Sequence, residues 1–214
     1  MGAANNNNRA ELEAYEQIVK NLNLKPKTLF EIGSKDGADA KRLATFFEIN
    51  PINVYIIEAH PFFFQNIKYS YPEYNCFHLA ASDKNEELIF NAALNYDDGR
   101  SSILERDIYD SNSFSKVSVS GVRLDSFLDV NNIEEVDLLK IDVEGAGMQV
   151  LAGFGDALTK VKTLQIEAEY KNIWKDSSTW NEIRDFLLKD FNLYWKKDIS
   201  GIQIDSIWVN KRIV

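Results

Sequence analysis

The sequence predicts an α/β fold, with a mostly parallel sheet, helices on both faces and an antiparallel hairpin strand at the C-terminal end. Three observations predict this class. An apolar run, a glycine turn and an amphipathic helix follow one another from residue 28. A second apolar run ends in an acid at the spacing expected of a βαβ unit. The last two strand-like runs are joined by too few residues for a parallel crossover.

The composition limits the class of protein. The chain has 214 residues, of which 45% are hydrophobic, enough for one domain that buries roughly 70% of its unfolded surface. We predict a disordered tail over residues 1–8, which contain four asparagines, and a single domain over 9–214. The net charge of -9 argues against nucleic acid as a partner. No apolar run is long enough for a membrane span, and one cysteine fits a cytoplasmic location.

The first predicted helix carries Leu12, Tyr15, Val19 and Leu22 on one face. We expect this face to pack on the sheet. A flap over a ligand crevice or a contact in a homodimer is the alternative.

Residues 28–37 are predicted to form the first strand, a tight turn and the start of a helix. The turn departs from the dinucleotide pattern G-x-G-x-x-G, because Lys35 and Ala38 stand at its second and third glycine positions. A nucleoside ligand without a pyrophosphate needs the turn but not the second glycine. S-adenosylmethionine is such a ligand, and the carboxylate of Glu31 suits its cationic ammonium and sulfonium. A tight turn that binds nothing is the alternative.

The second strand, predicted at residues 54–57, ends in Glu58, which lies 25 residues beyond Gly33. A carboxylate at this point can accept hydrogen bonds from both hydroxyls of a ribose. A solvated glutamate at a strand end is the alternative. His60 precedes Pro61 and an aromatic helix, so we interpret it as a turn or cap residue rather than a base.

The middle of the chain is predicted to continue with a third strand at 76–80 and a turn at Ala81-Ser82-Asp83. This turn either contacts an adenine or is an ordinary polar turn. Strand-like runs follow at 88–94 and 117–122, and a short helix at 124–130. The polar stretch 95–118 is long enough to be an active-site loop or a mobile surface loop.

Residues 136–145 form a second organising stretch. Period-two alternation places Lys140, Asp142 and Glu144 on one face of a strand, and Gly145 turns the chain into a helix. Charges at a strand end are costly to bury unless they are paired, so they mark a polar crevice. A hydrogen-bonded structural network anchored by Lys140 is the alternative to a catalytic role.

Two further segments complete the predicted sheet. Residues 163–169 carry Glu167 and Glu169 on one face. Strand-like runs at 191–196 and 203–209 follow a helix that begins with a capping box, Thr179-Trp-Asn-Glu182. The link between these two runs is short, so the last two strands should be antiparallel.

Six blocks of the sequence together resemble the FkbM family of methyltransferases. They follow in the family's order over roughly residues 28–170: Phe-Glu-Ile-Gly-Ser-Lys-Asp-Gly, Tyr-Ile-Ile-Glu-Ala-His-Pro, Ala-Ala-Ser-Asp-Lys, Gly-Arg-Ser-Ser, Val-Arg-Leu-Asp-Ser-Phe-Leu and Leu-Leu-Lys-Ile-Asp-Val-Glu-Gly-Ala. The resemblance implies a Rossmann-like seven-stranded class I methyltransferase sheet. It also implies transfer of a methyl group from S-adenosyl-L-methionine to a hydroxyl of a sugar or other small metabolite. One departure is Gly147, where the family often has an acid.

The chain is therefore predicted to be an S-adenosylmethionine-dependent O-methyltransferase whose protein groups align the substrates and accept a proton. Glu144 is the predicted base, and Lys140 should lie deepest and pair with an acid. The candidate catalytic residues are Asp142, Glu144, Glu167 and Lys140. The candidate cofactor-binding residues are Glu31, Gly33, Lys35, Asp36, Gly37, Glu58, Ala59, Ala81, Ser82 and Asp142.

Three other possibilities are kept open. Asp142, Glu167 and Glu169 can offer oxygen ligands to Mg²⁺. Lys140 and the missing acid at Gly147 count against a cation, so we predict no obligatory metal. A nucleoside-binding or interaction module without turnover is the second interpretation, and a nicotinamide-dependent oxidoreductase the third.

Overall fold

The computed structural model describes residues 10–96, 99–106 and 113–214. The tail predicted at residues 1–8 lies outside the described residues, as do Asp97, Asp98 and residues 107–112 of the polar stretch. The single domain over 9–214 stays a prediction. In the described part of the chain no helix has the length and apolar character that crossing a bilayer requires.

The described residues form six α-helices and ten strands. The helices are α1 (Ala10–Asn21), α2 (Ala38–Phe46), α3 (Pro61–Ser70), α4 (Leu124–Val130), α5 (Gly147–Phe154) and α6 (Trp180–Leu187). The strands are β1 (Leu29–Ile32), β2 (Val54–Ile57), β3 (Asn75–Phe77), β4 (Ala80–Ala81), β5 (Glu87–Ala93), β6 (Phe114–Val122), β7 (Val136–Ile141), β8 (Val161–Glu169), β9 (Phe191–Ile199) and β10 (Gln203–Asn210).

Seven strands make the main sheet, in the order β3-β2-β1-β7-β8-β10-β9. The five strands from β3 to β8 are parallel, and β10 is antiparallel to both of its neighbours. The prediction of a mostly parallel sheet that ends in an antiparallel hairpin is therefore confirmed. β1 and β7 are buried along their whole length, as expected of central parallel strands covered on both faces.

Helices cover both faces of this sheet. One face packs against α4, α5 and α6 through a core that includes Phe30, Leu139 and Ile166. The other face packs against α1 and α2. The expected packing of α1 is confirmed, because Leu12, Tyr15 and Val19 are fully buried.

Two predicted boundaries are wrong. The third strand ends at Phe77, and Ala80–Ala81 instead pairs with Gly121 and Val122 in a separate three-stranded sheet, β4-β6-β5. The polar stretch is also shorter than predicted, because β6 begins at Phe114. The start of this strand was missed because Ser115 and Lys116 are polar, although they are aligned with Ala92 and Asn91 of β5 in an antiparallel ladder.

Candidate active site

A cavity of about 310 Å³ lies at the carboxyl ends of β1, β2 and β7. In an open α/β sheet this edge is where ligands bind, and the volume is that of a small-molecule site. Seven of the predicted cofactor residues line it: Gly33, Lys35, Asp36, Glu58, Ala59, Ala81 and Asp142. The predicted catalytic residues Lys140 and Glu144 line it as well.

Glu58 holds the turn after β1 against the end of β2. Its Oε2 accepts hydrogen bonds from the backbone N–H groups of Ser34 and Lys35, each at 2.9 Å, and its Oε1 accepts one from His60 N at 2.7 Å. Burial raises the pKa of Glu58, and these three donors oppose the rise. His60 caps α3 through Nδ1, as predicted, and its Nε2 lies 3.2 Å from the carbonyl oxygen of Ala93.

Gly33 brings the first turn against the loop after β7. Its φ of 74° favours glycine, and a Cβ built there would lie 1.9 Å from the carbonyl oxygen of Asp142. The glycine is therefore required by contact between two backbone segments. This contact fixes Asp142 beside the first turn.

Three predicted cofactor residues do not line the cavity. Glu31 lies beneath it, 1% exposed, where its Oε2 accepts hydrogen bonds from Ser34 Oγ at 2.6 Å and Ala40 N at 3.2 Å. Burial raises the pKa of Glu31 to about 8. Gly37 precedes α2 with a φ of 77°, and Ser82 is buried and donates its N–H to Val122.

Lys140 is 4% exposed and pairs with acids, as predicted. Its Nζ lies 3.2 Å from Asp142 Oδ2, 3.4 Å from Asp39 Oδ2 and 3.8 Å from Glu31 Oε1. Burial alone lowers the pKa of Lys140, but the charges of these three acids outweigh it and the pKa lies above its ordinary value. Lys140 is therefore a cation at the base of the site.

The predicted alternation of charges along β7 is wrong beyond Ile141, where the strand ends. Asp142 and Glu144 lie in the following loop, and Glu144 has a φ of 50°, in the left-handed region that non-glycine residues rarely adopt. Its carbonyl oxygen accepts a hydrogen bond from Ser102 Oγ at 2.7 Å. Such a backbone persists where the surroundings impose it, commonly at functional sites.

Three carboxylates meet beside the cavity, of which Asp142 and Glu144 line it. Asp142, Glu144 and Glu167 each offer an oxygen within 4.8 Å of the others. This set differs from the predicted oxygen ligands in containing Glu144 instead of Glu169. Burial and then the charges of Asp142 and Glu144 raise the pKa of Glu167 to about 10, so Glu167 carries a proton at neutral pH.

Glu167 lines a second cavity that adjoins the first. Its volume is about 460 Å³, and it shares Glu11, Asp39, Lys140 and Asp142 with the first cavity. Glu169 ends the same strand and is 2% exposed, and burial raises its pKa to about 7.

Several site residues were missed from the sequence. Asp39 gave no signal, because its contact depends on where α2 folds. Ser102 ends the block Gly-Arg-Ser-Ser of the family resemblance but was given no role, because its contact depends on where the loop after β5 folds. Asp205 lies opposite Glu167 in the ladder of β8 and β10. Alternation along the last strand together with the pairing register would have placed it on the same face as Glu167. The other missed residues are Glu11 and Gln165.

Comparisons with known proteins agree with this architecture. A model of the methyltransferase FkbM domain matches residues 31–193 of the chain. The 2-O-methyltransferase NoeI of Sinorhizobium fredii is 26% identical over 198 residues, which cover 86% of this chain and 80% of that protein.

Two solved structures share the fold. The methyltransferase FkbM from Methylobacillus flagellatus aligns with a TM-score of 0.55 at 12% identity, over 85% of this chain but only 44% of that one. The O-methyltransferase from Bacillus cereus, in complex with SAH, aligns with a TM-score of 0.54 at 15% identity, over 97% of this chain and 84% of that one. The predicted class I methyltransferase sheet is confirmed.

Proposed function

Because this chain belongs to the FkbM methyltransferase family, we propose that it transfers the methyl group of S-adenosyl-L-methionine to a hydroxyl oxygen of a sugar or another small metabolite. The name of the relative NoeI, a 2-O-methyltransferase, supports oxygen as the acceptor atom. The observation that carries the proposal is the group of carboxylates Asp142, Glu144 and Glu167, of which Asp142 and Glu144 line the first cavity. The net charge of -9 supports a small-molecule acceptor rather than nucleic acid.

The first cavity fits the cofactor in its chemistry. Glu58 lies at the end of β2, and three backbone donors leave part of its acceptor capacity for ribose hydroxyls. Phe63, Leu79 and Phe90 supply apolar lining suited to an adenine. When bound, S-adenosyl-L-methionine supplies an electrophilic methyl group on a cationic sulfur. The residues that would hold it are the lining residues already named, from Gly33 to Asp142.

Glu144 is the carboxylate best suited to accept the proton of the acceptor hydroxyl. Glu167 already holds a proton at neutral pH, and Asp142 accepts a hydrogen bond from Lys140. The left-handed φ of Glu144 and the hydrogen bond from Ser102 Oγ to its carbonyl oxygen hold its backbone in place beside the cavity. A positioned general base is worth roughly 10² to 10⁴ in rate.

The test is the variant Glu144→Gln, compared with Glu134→Gln. Glu134 is exposed and precedes β7, at the opposite edge of the sheet, so the same change there should alter nothing. We expect Glu144→Gln to bind S-adenosylhomocysteine normally in calorimetry and to lose about 10² to 10⁴ in turnover, measured as S-adenosylhomocysteine released. Near-normal turnover would exclude Glu144 as the base and make Glu167 the next residue to test.

A binding module without turnover is the second candidate. It shares the cofactor cavity, so binding of S-adenosylhomocysteine does not separate the two. Release of S-adenosylhomocysteine in the presence of hydroxylated acceptors does separate them. The half-buried free thiol of Cys76 supports a reducing, cytoplasmic location as part of the proposal.

A further inference from the structure

Gly99 is a glycine that the backbone does not require. Its φ lies outside the left-handed region that favours glycine. A Cβ built on it would meet no described atom closer than 3.9 Å, which is ordinary van der Waals contact, whereas a Cβ at Gly33 would lie 1.9 Å from a carbonyl oxygen. Neither the backbone conformation nor a close approach therefore accounts for the missing side chain. What glycine provides at this position is open space.

Two opposite charges border this space. A Cβ at Gly99 would lie 3.9 Å from Glu144 Oε1 and 3.9 Å from Lys35 Nζ, and apart from the chain neighbours these are the only described atoms within 4 Å of it. All three residues line the first cavity, the one proposed to hold the cofactor. We call the space bounded by Gly99, Lys35 Nζ and Glu144 Oε1 the Gly99 gap.

Hydrogen bonds to β5 hold Gly99 at the wall of the cavity. Its carbonyl oxygen accepts a hydrogen bond from Ser101 N at 2.8 Å. Ser101 Oγ accepts one from Ala93 N at 3.0 Å. Ser102 follows, and its carbonyl oxygen accepts a hydrogen bond from Asn91 N at 2.8 Å. The position of the gap is therefore set by the same hairpin that carries Ser102 to the backbone of Glu144.

A hydroxyl is the group that matches these two neighbours. Its oxygen can donate one hydrogen bond to a carboxylate and accept another from an ammonium at the same time. A protonated amine would be repelled by Lys35, and an ionised acid would be repelled by Glu144. An ammonium has three donors and a carboxylate about four acceptor positions, so both groups can bind a hydroxyl alongside their other contacts.

From this arrangement we infer that the acceptor hydroxyl binds in the Gly99 gap, where it donates to Glu144 Oε1 and accepts from Lys35 Nζ. This inference rests on the proposed function. The backbone N–H of Lys35 belongs to the turn held by Glu58, at 2.9 Å, whereas its side chain reaches the gap. As the hydroxyl proton passes to Glu144, the cation of Lys35 stabilises the negative charge that develops on the oxygen.

The first test fills the gap. Gly99→Ala adds a methyl group there without a clash or a strained φ. With D-glucose, D-galactose, D-mannose and glycerol as acceptor probes, we expect it to lower kcat/KM about tenfold or more and to change S-adenosylhomocysteine binding in calorimetry less than about threefold. The control Gly201→Ala lies at the turn between β9 and β10, where a Cβ would meet nothing within 4 Å, and should leave both unchanged. Its φ of 68° strains an alanine, so it also reports the effect of lost stability alone.

The second test removes the ammonium. Lys35→Met keeps the length of the side chain, and Lys41→Met, at an exposed position in α2, is its control. We expect Lys35→Met to lower kcat/KM for the same probes about tenfold or more, as the loss of a hydrogen bond from a charged group gives, with S-adenosylhomocysteine binding again within about threefold. The control should show neither effect.

The third test needs no external acceptor. In Gly99→Cys the thiol stands in the gap, where its proton can pass to Glu144 as its sulfur takes the methyl group of S-adenosyl-L-methionine and S-adenosylhomocysteine is released. We expect mass spectrometry of the chain to find one added methyl group at position 99, and none at position 201 in Gly201→Cys. The half-buried Cys76 is present in both proteins and serves as the internal control.

The outcomes separate this inference from the proposed function. Normal kcat/KM in Gly99→Ala or in Lys35→Met would overturn the inference and leave the proposed function standing. A loss of about tenfold or more in S-adenosylhomocysteine binding by either variant would do the same, because the gap would then belong to the cofactor. If the unaltered chain methylates none of the four probes, Gly99→Cys decides: a methylated thiol supports the inference and an unmodified thiol overturns it. An unaltered chain that does not bind S-adenosylhomocysteine would overturn both.

Discussion

Replacing Lys140 by methionine removes the cation at the base of the site and keeps a side chain of similar length. Asp142 and Asp39 lie 3.2 and 3.4 Å from its Nζ. Each attraction is worth about 5 kcal/mol at an effective dielectric constant near 20. Burying the ammonium costs several kcal/mol, which offsets part of this, and removing one partner of a buried pair typically costs about 3 to 5 kcal/mol.

We therefore expect Lys140→Met to lower the free energy of unfolding by about 3 to 5 kcal/mol at about pH 8. The loss should be smaller at about pH 5, because Asp142 and Asp39, left without the charge of Lys140, can then take up protons. Urea unfolding followed by circular dichroism measures both. Lys20→Met, at an exposed position near the end of α1, is the control and should change stability by less than about 0.5 kcal/mol. A loss below about 1 kcal/mol at the higher pH, or an equal loss at both, would refute the reasoning.

Three further predictions concern the site. Glu58→Ala should weaken S-adenosylhomocysteine binding by about 1 to 3 kcal/mol in calorimetry; tight NAD binding without any response to S-adenosylhomocysteine would contradict the cofactor assignment. The free energy of unfolding should fall as the pH rises from about 5 to about 8. The reason is that Glu31 and Glu167, with pKa values of about 8 and about 10, keep protons in the folded state that the unfolded chain has lost. Glu167→Gln should flatten that slope in thermal unfolding, and an unchanged slope would count against it. Turnover should persist in EDTA, because the ammonium of Lys140 already donates a hydrogen bond to the carboxylate of Asp142. Activity that is lost in EDTA and restored by Mg²⁺ would show a metal requirement.

The sheet could be predicted from the sequence because its signals are local. The apolar run of β7 predicts a buried strand, and the short link before β10 predicts an antiparallel pair. Neither prediction needs information from the rest of the chain. The sequence did not show that the predicted third strand is two separate strands, β3 and β4. Ala80 and Ala81 continue the apolar run of β3, and only the partner strand β6, distant in sequence, draws them into another sheet.

The site was predictable up to the point where the backbone stops being regular. Lys140 belongs to β7, and its burial and pairing followed from alternation along the strand. Glu144 lies past the end of that strand, and no periodicity predicts a φ of 50° for a glutamate. Asp205 needed a different kind of information, the register of two antiparallel strands, which sets Glu167 and Asp205 side by side.

The block Lys-Ile-Asp-Val-Glu-Gly is specific because each polar or glycine position has its own physical requirement. Lys140 neutralises acids beneath the cavity, and Asp142 borders both cavities while its carbonyl oxygen leaves no room for a side chain at Gly33. Glu144 takes a left-handed backbone that Ser102 holds from the facing loop. Gly145 follows with a φ of 84°, and a Cβ there would lie 2.5 Å from the ring of Trp174. A substitution at each of these positions disturbs a different contact. The residue type is therefore constrained separately at each position of the block.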